Sequence, residues 1–178
     1  MGARPLAWYT GPTFSSCADV AFFRRERTKL AERVAMYLAE LQKLEGVWTG
    51  KEVITERERR VEATARLVFQ TVFDGRFLLC DYVQNIPDRP TSVGHGVFRK
   101  EGNTDALTVT WFRNPAATSA QQANAVAEGD SLSFIETVDG RTTRTRYTTL
   151  RDHLTIRTEY ESGNDNWTPL LEGDYRRR

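Results

Sequence analysis

SLSFIETV-DG-RTTRTRYTTL-RD-HLTIRTEYE, residues 131–161, contains three strand-like runs broken by two short turns. In the first run Leu132 and Phe134 oppose Ser133. In the third, Leu154, Ile156 and Tyr160 oppose Thr155, Arg157 and Glu159. A period of two is the signature of a strand with one buried face. Asp139-Gly140 suits the tight hairpin turn that needs positive φ at both central residues. The middle run, Arg141 to Thr149, is polar on both faces, so in a closed sheet it lines either solvent or a polar cavity.

The same grammar extends over everything after Gly46. Asp74-Gly75, Glu101-Gly102-Asn103, Gly129-Asp130 and Ser162-Gly163-Asn164-Asp165 punctuate runs rich in Val, Thr, Phe, Tyr and Ile. Strands are expected near 47–56, 60–73, 76–86, 94–100, 105–113, 123–128, 131–138, 141–150, 153–161 and 166–176, with 114–122 as a loop. In 105–113, Leu107, Val109 and Trp111 oppose Thr108 and Thr110. About ten strands in chain order, with no helical pattern among them, predict a mainly β fold. A sheet that long curls into a closed antiparallel meander barrel, because closure removes its edges.

Before Gly46 the pattern differs. Residues 18–45 lack Gly and Pro, and Leu30, Val34, Tyr37, Leu38, Leu41 and Leu44 recur at offsets of three and four. That is an amphipathic helix, preceded by a loose arm over 1–17 and followed by the barrel domain over 46–178. Leu38 and Leu41 are expected to pack across one open end of the barrel as a cap governing access to its interior. The alternative use of the stripe is the seam of a homodimer.

Composition narrows the class of function. The chain has 178 residues, 39% hydrophobic and 28% charged, with a formal net charge of +1 and a mean hydropathy of −0.54. Those values describe a soluble globular protein. A balanced charge provides no field for nucleic acid, and no run approaches the roughly 20 apolar residues of a membrane-spanning helix. Arg141, Arg144, Arg146, Arg151 and Arg157 read as a solvated strand face with cross-strand acids. Cys17 and Cys80 form no metal or redox motif. The first 25 residues lack the apolar core of a secretory signal, so the cytoplasm is the expected compartment.

Leu41, Leu44, Gly46, Val47, Trp48 and Gly50 spell L-x-x-L-x-G-x-W-x-G. This resembles the opening of the calycins, the lipocalin and fatty-acid-binding-protein group, whose Gly-x-Trp tryptophan closes one barrel end. Gly75-Arg76-Phe77-Leu78 with Tyr82, then Trp167, then Gly173-Asp174-Tyr175-Arg176-Arg177 are similar to a bacterial family of lipocalin-like domains of unknown function. The likeness covers roughly residues 40–178 and implies structural roles for Gly46, Trp48, Tyr175 and Arg176. Arg176 or Arg177 is suited to stack on Trp48. The nitrobindins, haem-binding barrels, open with a similar segment and use a histidine near the C-terminal end of the barrel. Neither His95 nor His153 matches that position, so no cofactor is expected.

No G-x-S-x-G elbow, P-loop, G-x-G-x-x-G or H-E-x-x-H occurs, and two histidines with scattered acids do not make a metal site. A barrel cavity is the remaining seat for function. Its candidate lining is Phe69, Tyr82, His95, Phe98, Trp111, Phe134, Tyr147, Arg157 and Glu159, with ordinary core as the alternative for each aromatic. His95, flanked by Gly94 and Gly96, is read as sterically accessible. The expected function is binding of a small hydrophobic or amphipathic molecule inside the barrel. The alternative is a small isomerase, cyclase or lyase acting on an enclosed apolar substrate, with His95 and Glu159 as its acid/base pair.

Overall fold

The computed structural model describes residues 41–57, 59–100, 107–114, 121–128, 131–138, 140–163 and 166–178, together with Arg25 and Ala39. Arg25, Ala39 and residues 41–44 are helical. Cys17, Leu30, Val34, Tyr37 and Leu38 lie outside the described residues. Leu41 and Leu44 are buried in the core. The chain then reverses at Gly46, whose φ of 123° is reserved for glycine. It enters β1 (Gly46–Glu56), followed by β2 (Arg59–Val72), β3 (Phe77–Asn85), β4 (Ser92–Lys100) and β5 (Leu107–Asn114). The second half runs β6 (Gln121–Glu128), β7 (Ser131–Val138), β8 (Arg141–Leu150), β9 (His153–Glu161) and β10 (Trp167–Arg177). The spans of β7, β8 and β9 match the sequence reading to the residue, and the others differ from it by one or two residues at one or both ends.

Every strand pairs antiparallel with its sequence neighbour, and β1 also pairs with β10, which closes the barrel. The β2–β3 hairpin turns through Asp74 and Gly75 at φ of 55° and 80°, the geometry that the Asp-Gly pair predicts. Asparagine and aspartate tolerate such angles; Phe73, at φ of 52°, is a bulky residue held there beside them.

Register then decides which side chains enter the barrel, since directly paired residues share a face. Trp48, Gly50, Glu52 and Ile54 of β1 share the interior with Leu67 and Phe69 of β2 and with Cys80 and Tyr82 of β3. Phe98, Trp111, Phe134, Tyr147, Ile156 and Tyr175 continue the set around the wall. The interior is filled unevenly. Phe98 meets Phe134 at 5.4 Å, Tyr147 at 6.0 Å and Phe69 at 6.0 Å between ring centroids, mostly edge to face. This cluster packs the half of the barrel nearer the floor. Cys80 lies within it, a free thiol whose pKa burial pushes far up, so it is inert in the folded protein.

Trp48 forms the floor itself. It is fully buried, its indole N–H donates to the Leu44 carbonyl at 2.6 Å, and Arg177 lies 4.4 Å over its ring. Arg176 is one residue out of phase with that face: it pairs with His153 and Thr49 and is exposed. Arg177 is therefore the stacking arginine. No helix among the described residues is long and apolar enough to cross a membrane.

Candidate functional site

Beyond the aromatic plug the barrel is hollow. A chamber of about 260 Å³ lies between β1, β2, β3, β5, β8, β9 and β10. Its apolar wall is Ile54, Leu67, Trp111, Ile156, Leu170 and Leu171. Two consecutive leucines contribute because the β9–β10 register shifts between Pro169 and Leu171, a bulge that turns both toward the interior side. A second cavity of about 440 Å³ shares Ile54, Tyr82, Arg113 and Leu171 with the chamber, and Arg89, Pro90 and Val93 border its outer side. The two form a funnel that opens opposite Trp48. Residues 41–44 pack on the floor, with Leu41 and Leu44 in the core as the end-cap expectation has it; the rest of the expected cap lies outside the described residues.

The polar centre of the chamber is Glu52, only 1% exposed. Tyr175 donates its phenol proton to Oε1, while Tyr82 at 2.7 Å and Gln84 at 2.5 Å donate to Oε2. Burial first, and then the adjacent Glu52 carboxylate, push both phenols well above their ordinary pKa, so both remain protonated donors. Tyr147, raised by burial, is likewise neutral. Thr145 and Thr158 face each other across β8 and β9 at 3.1 Å. At the mouth Arg113 is exposed and stacks 5.3 Å from the Trp111 ring centroid.

The expected site residues divide into three groups. Tyr82, Trp111 and Tyr147 line the chamber. Phe69, Phe98 and Phe134 belong to the packed plug beneath it. His95, Arg157 and Glu159 are on the opposite face of the wall, and for them the cavity expectation is corrected. His95 pairs with Asp81 and Phe112, both outward, and its Nδ1 is 2.7 Å from Asp81 Oδ1 with 43% of the side chain exposed. The glycines beside it serve the interior: a Cβ on Gly96 would stand 3.1 Å from the Trp111 ring, so the glycine lets that indole lie against the wall.

Glu159 is 4% exposed but is buried on the outside. Arg144 and Arg157 each reach it at 2.8 Å, and Arg144 stacks 4.2 Å over Trp167. His95 and Glu159 thus share no cavity and form no acid/base pair. His153 also faces outward, its Nε2 2.9 Å from Asp174 Oδ1, so neither histidine is presented to the chamber as a haem ligand. Among the described residues, no three or more His, Cys, Asp or Glu side chains converge as metal ligands.

The rim contains one latch. Arg89, in the loop between β3 and β4, holds Glu56 at the end of β1 through two bonds of 2.6 and 2.9 Å. The hydrogen bond from Arg89 keeps the Glu56 carboxyl below its ordinary pKa. A lowered folded-state pKa means stability that is present above the unfolded carboxylate pKa and lost as pH falls through the lowered value. Both groups are well exposed, so the contribution is small. Arg89→Ala should raise the Glu56 titration midpoint toward its ordinary value by NMR, with any stability loss seen at neutral pH and absent in acid. An unmoved midpoint would show the latch to be open in solution.

What the fold and site define is a closed ten-stranded barrel, packed at one end and hollow at the other. Among solved structures it is similar to that of Rv2717c from M. tuberculosis, with a TM-score of 0.58 and 16% sequence identity over 79% of this chain and 96% of that one. At that identity the likeness is one of fold. No family model matches the sequence, and the comparison with curated proteins found no match.

Proposed function

We propose that the protein binds a small hydrophobic or amphipathic molecule in the chamber, as its resemblance to lipocalin-like barrels implies. The observation that carries this reading is the uneven filling of the interior. A purely structural barrel has no reason to leave about 260 Å³ unfilled above a tightly packed plug. The chamber alone is just under the range of drug-sized sites, roughly 300–1,000 Å³, so the part of the ligand seated there is compact. Its apolar body lies against Leu67, Trp111 and Ile156, and its polar groups meet the Glu52 cluster inside or Arg113 at the mouth.

Thr158 faces the chamber without belonging to the plug, which makes it the place to fill the void. Thr158→Trp should lower the affinity for a small neutral aromatic probe by more than about tenfold, or 1.4 kcal/mol. The melting temperature should change by only a few degrees, because the added ring enters vacant space. Native mass spectrometry of the gently purified wild type should also retain a small adduct that this variant loses. Equal probe binding by both proteins would remove the chamber as the binding site.

A further inference from the structure

Among the described residues two carboxylates are buried, Glu52 and Glu159, and they are held differently. Glu159, on the outer wall, is met by Arg144 and Arg157 at 2.8 Å each. Glu52, inside, is more deeply buried and is held only by uncharged donors, Tyr82, Gln84 and Tyr175. Among the described residues no cation stands within ion-pair distance of it. A carboxylate taken out of water without a counter-charge is destabilising unless hydrogen bonds compensate. An ionised carboxylate has about four acceptor positions. Three are occupied, and the group lines the chamber.

The walls around that acceptor have matching character. Tyr82, Trp111, Tyr147 and Tyr175 all border the chamber, and the faces of aromatic rings are negative and attract cations. A buried carboxylate without a protein counter-ion, in a chamber bordered by four aromatic residues, is a receptor for an organic cation. We infer that the ligand carries a protonated amine at its inner end, seated on Glu52, with its apolar body directed toward the mouth. This rests on the reading of the chamber as a ligand site and specifies the class of molecule it takes.

Two other occupants fit less well. A bare divalent ion demands about six oxygen ligands, whereas here an amide N–H and two phenol O–H groups already point at the carboxylate. A ligand with an anion at its inner end would meet Glu52 at close range. Arg113 lines the same chamber but makes no ion pair with Glu52; it lies over Trp111 at the mouth, where it suits an acceptor group on the ligand's outer end.

Calorimetric titration of the full chain at neutral pH tests this with three probes of one shape: phenethylamine, phenethyl alcohol and hydrocinnamate. The amine should bind at least about tenfold more tightly than the alcohol, the scale of a desolvated charge pair, and the acid most weakly. In Glu52→Gln the amine's advantage over the alcohol should fall below about threefold. An alcohol that equals the amine in the wild type overturns the cation inference and leaves the chamber reading standing. Failure of all three probes overturns both. The wild-type ranking decides by itself if the variant does not fold.

Discussion

Gly50→Ala should destabilise the barrel by about 4 kcal/mol or more, enough to leave little folded protein at physiological temperature. Gly50 pairs with Ala65 on one side and Tyr175 on the other, at the seam where β1 and β10 close the ring. A Cβ added there would stand 1.9 Å from the Asp174 carbonyl oxygen and 2.8 Å from the Tyr175 Cα. Those obstacles are backbone, so no rotamer change relieves them. The strands must part, at the cost of ladder hydrogen bonds and of the position of Tyr175 on Glu52. Overpacking a core ordinarily costs about 1–3 kcal/mol because side chains yield; here they are not what yields. Gly94→Ala is the internal control, since its nearest neighbour is Tyr82 Cδ1 at an ordinary 3.4 Å. Urea denaturation of both variants decides the point, and a Gly50→Ala protein as stable as Gly94→Ala would mean that the seam has room for a methyl group.

The strands were legible because their signal is local. Alternation and turn residues within a window of about ten residues locate each one, and Asp74-Gly75 specifies even the sign of φ. The polar centre of the chamber was not legible, for a reason of range. Glu52 stands beside Lys51 in the sequence, and its partners lie 30, 32 and 123 residues away. One local sign was present: Glu52 has the parity of Trp48, so a tryptophan committed to the floor commits the glutamate to the interior as well.

His95 misleads in the opposite direction. Its flanking glycines read as access to the histidine, whereas they make room on the other face for Trp111 and Tyr82. For Arg157 and Glu159 the alternation correctly separates them from Leu154 and Ile156. What alternation does not reveal is that the outer face of β8–β10 has its own cover, formed by Arg144 and Trp167 over Glu159. Burial of a residue and entry into the barrel are separate properties there.

Trp48→Ala should cost about 3–5 kcal/mol, a third or more of the stability of a typical domain, and should loosen the helical turn together with the floor. Three contributions meet at this one side chain. Its ring is fully buried and belongs to the same core as Leu41, Leu44, Leu67 and Phe69. Its N–H satisfies the Leu44 carbonyl, one of the C-terminal helix carbonyls that have no intrahelical partner. Its face supports Arg177, which donates to the Glu45 carbonyl at 2.6 Å and the Lys43 carbonyl at 2.7 Å. Removing the indole therefore leaves a cavity, a carbonyl without its donor and an arginine without the platform that aims it. Trp48→Phe separates these effects: it keeps most of the apolar volume and loses the N–H, so its loss should be about 1–3 kcal/mol. Arg177→Ala combined with Trp48→Ala should cost less than the two single losses added together, since the stacking is removed in either case. A Trp48→Ala protein that melts like the wild type, or strict additivity in the cycle, would mean that the tryptophan, the arginine and the helix end do not act as one floor.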